Sequence, residues 1–134
     1  MALKLINPKS LGTPRGYSNG VLGDAGGRLL FIAGQIGWNE KQEIVSHDFV
    51  EQFDRALANV LSVVTEAGGT PADIARLVIY VISKTEYRQL TQEVGERYRA
   101  QMGKHFPAMV LIEVNSLLED AAQVEIEGVA ILNS

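Results

Sequence analysis

The sequence contains no cysteine. This absence excludes a disulfide framework, a thiolate metal site and a cysteine nucleophile together, and it fits a reducing compartment. The 134 residues suffice for a core that needs no cross-links, since single domains commonly have about 100–150 residues. We therefore expect one domain over residues 1–134.

Long apolar segments and an excess of basic charge are also missing. The longest apolar run covers residues 77–82, whereas a membrane helix needs about 20 residues. The apolar start at residues 1–6 is too short for a signal peptide. The formal net charge is −4, from 12 basic and 16 acidic side chains, which argues against a nucleic-acid partner. We expect a soluble, cytoplasmic protein with no membrane partner.

Hydrophobic periodicity predicts the element order βββαβαββ. The strands cover residues 3–6, 17–22, 29–35, 76–83, 108–114 and 123–132, and the helices cover 49–64 and 85–102. Residues 24–27 have the composition of a tight hairpin turn between the second and third strands. This order predicts an α+β fold, with a mixed sheet and two helices on one face.

The two predicted helices differ in how clearly they are marked. For the first, Ser46 is the predicted N-cap, and Asp48 complements the positive end of the helix dipole. Gly68 ends it. The second begins at Thr85 and contains Gly95, which costs about 1 kcal/mol relative to alanine in a helix interior.

One face of the predicted sheet has no helix to cover it. Residues 77–82 and 109–112 are apolar at successive positions, so both faces of these strands are apolar. In a monomer the uncovered face would be a large exposed apolar patch. We therefore expect an oligomer that associates through this face.

Several motifs follow one another in an order that resembles a known family. They are Pro-Arg-Gly-Tyr-Ser at residues 14–18, Ala-Gly-Gln-Ile at 33–36, Leu-Ala-Asn-Val at 57–60 leading to Ala-Gly at 67–68, Phe-Pro-Ala at 106–108 and Val-Glu-Ile-Glu at 124–127. Together they resemble the Rid/YjgF family of reactive intermediate deaminases, also labelled L-PSP endoribonucleases. The resemblance runs from about residue 5 to residue 132.

The resemblance implies a fold, an assembly and a reaction. The fold is chorismate-mutase-like, and three subunits form a homotrimer with a central barrel and with ligand clefts between neighbours. Archetypal members hydrolyse enamines and imines to keto acids and ammonia, and they carry no cofactor. A ribonuclease reading fits poorly, since the chain has no basic stripe and no paired histidines.

The resemblance also assigns roles to individual residues. Tyr17 matches the cleft tyrosine, Gly34 the glycine that lines the cleft, and Glu125 the acidic residue at the water-activating position. Gln92 falls approximately where archetypes have an asparagine on the second helix. Met109 stands where archetypes have the arginine that binds the substrate.

The Met109 replacement changes what the cleft binds. Arginine holds a carboxylate through two charge-assisted hydrogen bonds, whereas methionine offers an apolar thioether and no donor. We therefore expect a larger or less polar compound than the usual small imino acids. The chain resembles a subgroup that lacks the arginine.

Several alternatives stay open at the sequence level. Glu125 and Glu127 lie on the same face of one strand. We expect the Glu125 side chain to enter the cleft and the Glu127 side chain to be solvated. Arg15, Trp38 and His105 are candidates for the cleft, each with a plain surface role as the alternative.

The two histidines, His47 and His105, lie far apart in the sequence and have no partners at ligand spacing, so we expect no metal site. Two functions compete. One is a hydrolase of the deaminase type, and the other is a non-catalytic trimeric protein that binds a small molecule in the same clefts.

Overall fold

The computed structural model describes residues 3–133. It has six strands, β1 Lys4–Ile6, β2 Gly20–Leu22, β3 Arg28–Gln35, β4 Ile74–Val81, β5 Ala108–Glu113 and β6 Val124–Leu132, and three α-helices, α1 Phe49–Glu66, α2 Lys84–Gln89 and α3 Thr91–Met102. The predicted α+β order is confirmed, except that the second helix is divided. No helix in this part of the chain is long and apolar enough to cross a bilayer.

The main sheet has four strands in the order β3-β6-β4-β5. Strands β4 and β5 run parallel, because α2 and α3 carry the chain back between them, while β6 pairs antiparallel with both β3 and β4. Helices α1 and α3 pack on one face of this sheet and enclose the core. The prediction that helices cover a single face is confirmed.

The predicted hairpin at residues 24–27 is wrong. Strand β2 pairs with β1, with Lys4 opposite Leu22, whereas β3 pairs with β6, with Phe31 opposite Val129. The two strands that flank the turn therefore belong to different sheets. A turn composition predicts a reversal of the chain, but the partner of each strand is decided by the apolar face that it buries.

The helix starts also differ from their prediction. The Asp48 carboxylate is the N-cap of α1 and accepts a hydrogen bond from the Glu51 N–H at 2.9 Å, while the Ser46 hydroxyl accepts one from the Asp48 N–H at 3.0 Å. Ser83 caps α2 and accepts from the Glu86 N–H at 3.1 Å. Leu90, with φ −113°, separates α2 from α3.

A fully buried glutamine holds three segments of the chain together. Gln52 lies on α1 with 0% exposure. Its Nε2 donates to the carbonyls of Ser46, at 2.9 Å, and Ala121, at 3.0 Å, and its Oε1 accepts from the Gln123 N–H at 2.8 Å. The amide is therefore satisfied without solvent, and it fixes the turn that leads into β6.

The face of the sheet opposite the helices is open in the single chain. Its apolar residues include Leu29 and Phe31 on β3 and Val110 and Ile112 on β5, all of them exposed, with Phe31 at 73%. The strand register places these side chains on one face of the sheet, and the side chain of buried Leu77 lies on the other face. The uncovered apolar face expected from the sequence is present, and we call it the bare face.

We predict that Gln52→Leu destabilises the protein by about 3 kcal/mol, because an N–H and two carbonyls lose their buried partner at about 1–3 kcal/mol each. Urea denaturation would measure the change. The matched control is Gln89→Leu, at an exposed position on α2, which should change stability by less than about 0.5 kcal/mol. Equal stability of the two variants would contradict a structural role for Gln52.

Candidate functional site

Gly34 and Glu125, predicted to share the cleft, meet on the bare face. The β3–β6 register shifts between Ile32 and Gln35, so that two β3 residues, one of them Gly34, oppose one residue of β6, as in a β-bulge. A Cβ built on Gly34 would overlap the Glu125 carboxylate, with the Glu125 Cδ at 2.8 Å. Only glycine leaves this carboxylate its space.

The Glu125 carboxylate is half-buried. It has no hydrogen-bond or ion-pair partner within residues 3–133. A half-buried carboxylate with free lone pairs can accept a proton from a water molecule or orient that water toward an electrophile.

Glu127 is engaged elsewhere, contrary to the expectation of a solvated side chain. It is half-buried, and its Oε1 accepts a hydrogen bond from the Tyr80 hydroxyl at 2.5 Å. This hydrogen bond is the main cause that raises the pKa of Tyr80 above its usual 10.0. The charge of Glu125 also raises this pKa, and Arg76 lowers it. Of the two carboxylates, only Glu125 has neither oxygen in a hydrogen bond within the described chain.

Tyr17 lies beside the start of β5. The Ser18 N–H donates to the Pro107 carbonyl at 2.9 Å and the Ser18 hydroxyl donates to the Phe106 carbonyl at 2.5 Å, which seats residue 18 as a parallel bridge to Ala108. A groove at this edge is lined by Tyr17, Ser18, Asn19, Arg76, Ala108, Met109 and Val110. Tyr17 and Met109 are therefore brought together.

Met109 also lines a deeper cavity on the helix side of the sheet. The cavity has a volume of about 330 Å³ and lies between β5, α3 and the loop before Tyr17. Its lining is Arg15, Gly16, Phe53, Ile79, Tyr87, Thr91, Val94, Gly95, Tyr98, Arg99, Phe106 and Met109. Arg15 was a candidate for the cleft, and Arg99 was not.

The two halves of the predicted site lie on opposite faces of one protomer. Met109 pairs in register with buried Leu77 and packs against the core, whereas Glu125 pairs with Tyr80, three residues along β4 from Leu77. An odd separation along a strand places two side chains on opposite faces. A single chain therefore does not bring Met109 and Glu125 together.

The other candidates have individual surroundings. Gln92 is exposed on α3 and lines neither the groove nor the cavity. Trp38 lies in a separate depression beside Gln35 and Asn59. The Asn59 amide donates to the Ile36 and Trp38 carbonyls at 3.0 Å each, so this region is built around α1 rather than β5.

His105 neither lines the cavity beside Met109 nor lies exposed on the surface. Its Nε2 lies 2.7 Å from the Ile74 carbonyl, and the Tyr98 hydroxyl donates to the His105 carbonyl at 2.7 Å. The ring serves to anchor the loop after α3 and does not line the cavity beside Met109. His47 is exposed before α1.

Known proteins match this chain along almost its whole length. The family described as Endoribonuclease L-PSP matches residues 8–132. The chain belongs to this family, the Rid/YjgF family. The predicted membership is confirmed.

Rid/YjgF relatives resemble the chain in both sequence and structure. A RutC family protein of Pyrococcus horikoshii is 32% identical over 124 residues, which cover 92% of this chain and 90% of that protein. The structure of the Rid family protein YyfB of Yersinia pestis, described as of unknown function, superimposes with a TM-score of 0.87 at 34% identity, over 98% of this chain and 100% of that chain. The YjgF gene product of Escherichia coli gives a TM-score of 0.69 at 28% identity, over 93% and 92%.

Two residues of the site escape prediction from the sequence. Tyr80 lies within an apolar run, and Arg99 lies within a charged helix, so neither stands out by composition. The weak signal for Arg99 is Gly95, four residues earlier on the same helix face. The motifs that carry the family resemblance include neither residue.

We predict that Glu127→Gln lowers the pKa of Tyr80, because the variant removes the carboxylate charge beside the phenol. With a folded-state pKa above 10.0, the hydrogen bond contributes its full stability below pH 10 and loses it as pH rises through the folded-state pKa. Ultraviolet titration of tyrosinate, with the Tyr80→Phe curve subtracted, measures the shift. Glu119→Gln, at an exposed position, is the control; a shift as large there would contradict the assignment.

Proposed function

We propose that the protein is a RidA-like hydrolase of the deaminase type, acting on an enamine, an imine or a related reactive small metabolite. The observation that carries the proposal is the unpartnered Glu125 carboxylate held against Gly34. The two residues match the family's acidic and cleft-lining positions. Membership in the Rid/YjgF family supports the reaction class.

The chemistry requires one water molecule and one base. Glu125 takes a proton from water as the oxygen attacks the carbon of the C=N bond, which gives a carbinolamine. Glu125 returns this proton to the nitrogen and then takes the hydroxyl proton of the carbinolamine, which it also passes to the nitrogen. The C–N bond breaks, and ammonia leaves as the carbonyl forms. Water and imine are consumed and the carbonyl compound and ammonia are released, with no cofactor and no metal in the cycle.

A homotrimer supplies the geometry that one chain lacks. The bare face, with Phe31 and Val110 exposed, is the surface through which we propose that three copies form a barrel. The cleft would then lie between neighbours, with Tyr17 and Met109 from one subunit and Gly34 and Glu125 from the next. Gln92 belongs to the cleft only if it comes from an adjacent subunit.

The competing proposal is a trimeric binding protein that uses the same clefts without turnover. Met109 favours it, because the residue at the substrate-anchoring position offers no hydrogen-bond donor, and most of the nearby cavity is lined by apolar and aromatic side chains. Turnover of a captured imine distinguishes the two functions.

We predict a mass of three chains in sedimentation at micromolar concentration. Phe31→Asp places a charge on the bare face and should shift the protein toward monomers. Leu118→Asp, at a side chain that is 95% exposed outside the main sheet, should leave the trimer intact. A monomeric wild type would contradict both the assembly and the shared cleft.

We predict that the wild type accelerates hydrolysis of 2-iminopropionate only weakly, and that Met109→Arg improves it by tenfold or more. The reason is that the guanidinium adds charge-assisted hydrogen bonds to the carboxylate, worth about 1.5–3 kcal/mol each before desolvation. Release of ammonia from the imine generated in situ is the measurement.

A second substitution tests the carboxylate. Glu125→Gln added to Met109→Arg should remove most of the gain, whereas Glu93→Gln, exposed on α3, should not. Rapid hydrolysis by the wild type would show that another cation already binds the carboxylate of this small substrate.

A further inference from the structure

Two arginines line the cavity beside Met109, and no acidic residue does. Arg15 and Arg99 are the charged members of its lining, and neither forms an ion pair or side-chain hydrogen bond within residues 3–133. The chain as a whole has 16 acidic and 12 basic side chains. Two unpaired guanidiniums at one cavity of an acidic protein give that cavity a positive field of its own.

Gly95 leaves room on α3 for the Arg99 guanidinium. A Cβ on Gly95 would lie 3.0 Å from the Arg99 Nη1, so the guanidinium rests over the turn where a larger side chain would push it away. Arg97, two residues earlier on the same helix, behaves differently, since its Nη1 lies 2.9 Å from the Asp54 Oδ2. Arg97 ties α3 to α1, and Arg99 stays available to the cavity.

The loop before β2 directs Arg15 to the same place. Gly16 has φ +75°, a conformation that glycine adopts readily. Arg15 then lines the cavity while Tyr17 lines the groove on the far side of Met109. The turn at Gly16 thereby separates the two side chains.

The remainder of the cavity is apolar and partly aromatic. Phe53, Val94 and Tyr98 are buried, and the rings of Tyr98 and Phe106 stack with centroids 5.3 Å apart. Both arginines are exposed, so the charge lies at the solvent end and the apolar surface lies within. This arrangement is complementary to a molecule with an acidic head and an apolar body.

We propose that this cavity binds an organic acid with an extended apolar or aromatic body, whose carboxylate is held by Arg15 and Arg99 and whose body lies against Phe106 and Met109. The inference deepens the proposed function, on which it rests for the role of the site, by naming the substrate class. The carboxylate is then bound by Arg99 from α3 and by Arg15 from the loop before β2. Met109, which stands where archetypal family members have the carboxylate-binding arginine, contacts the apolar body of the ligand.

Calorimetric titration with three probes tests the charge and the apolar body separately. 4-Phenylbutyrate carries both, 4-phenylbutanol lacks the charge, and acetate lacks the body. We expect the acid to bind at least tenfold more tightly than the alcohol, and acetate not to bind measurably. Equal binding of acid and alcohol would overturn the proposal.

Arginine variants locate the carboxylate. Arg15→Gln and Arg99→Gln should each weaken 4-phenylbutyrate binding about tenfold or more and leave 4-phenylbutanol unaffected. Arg99→Lys keeps the charge but loses the planar guanidinium, so its affinity for 4-phenylbutyrate should lie between those of the wild type and Arg99→Gln. The control Arg88→Gln, exposed on α2, should bind like the wild type. Unchanged affinity in both glutamine variants would refute the site even if the protein proves to be a hydrolase.

Turnover of a longer substrate separates this inference from the proposed function. The imine of phenylpyruvate, generated in situ, should be hydrolysed faster than 2-iminopropionate, with a KM that rises in Arg99→Gln. Binding of 4-phenylbutyrate that depends on both arginines, without hydrolysis of either imine, would leave the site established and reject the hydrolase. Hydrolysis that does not depend on Arg15 or Arg99 would support the hydrolase and reject the proposed binding site.

Discussion

The side-chain amide of Gln52 is the interaction on which the geometry of the site depends. Its three hydrogen bonds join the segment before α1 to the turn at residues 121–123, directly before the strand that carries Glu125. A Cβ on Gly37 would lie 2.8 Å from the Gln52 Cα, so the chain that leaves β3, shortly after Gly34, is also seated on this residue. One buried residue of α1 thus positions the ends of both strands that bring Gly34 and Glu125 together.

Because Met109 and Glu125 lie on opposite faces of one chain, the proposed cleft requires residues from more than one subunit. Each protomer offers two incomplete surfaces: a helix-side cavity with arginines and a thioether, and a bare sheet face with a free carboxylate. Association through the bare face would turn an exposed apolar surface into a core. The same event would set the carboxylate of one subunit near the cavity of another, so binding and stability would share one interface.

Much of this fold follows from local patterns in the sequence. The apolar spacing of α1 and the alternation of β6 predicted their elements because each pattern reflects one buried face. Gly34 and Glu125 were found through the family motifs, and the structure places them in contact. The partner of β2 was not predictable from residues 24–27, since pairing depends on surfaces distant in sequence. Gln52 was missed because a buried glutamine has the same local context as an exposed one, and Arg99 because its cavity arises only when α3 packs against β5.

The sheet order leaves β5 at one edge, and only its first residue is covered by a bridge from Ser18 within the described chain. The backbone donors and acceptors beyond that point face outward on a strand whose Val110 and Ile112 are also exposed. Such an edge is a template on which another strand can add. If the protein forms the proposed trimer, a separated protomer is therefore its aggregation-prone form. In the proposed trimer, the concentration of free subunits would therefore influence how fast the protein aggregates on dilution.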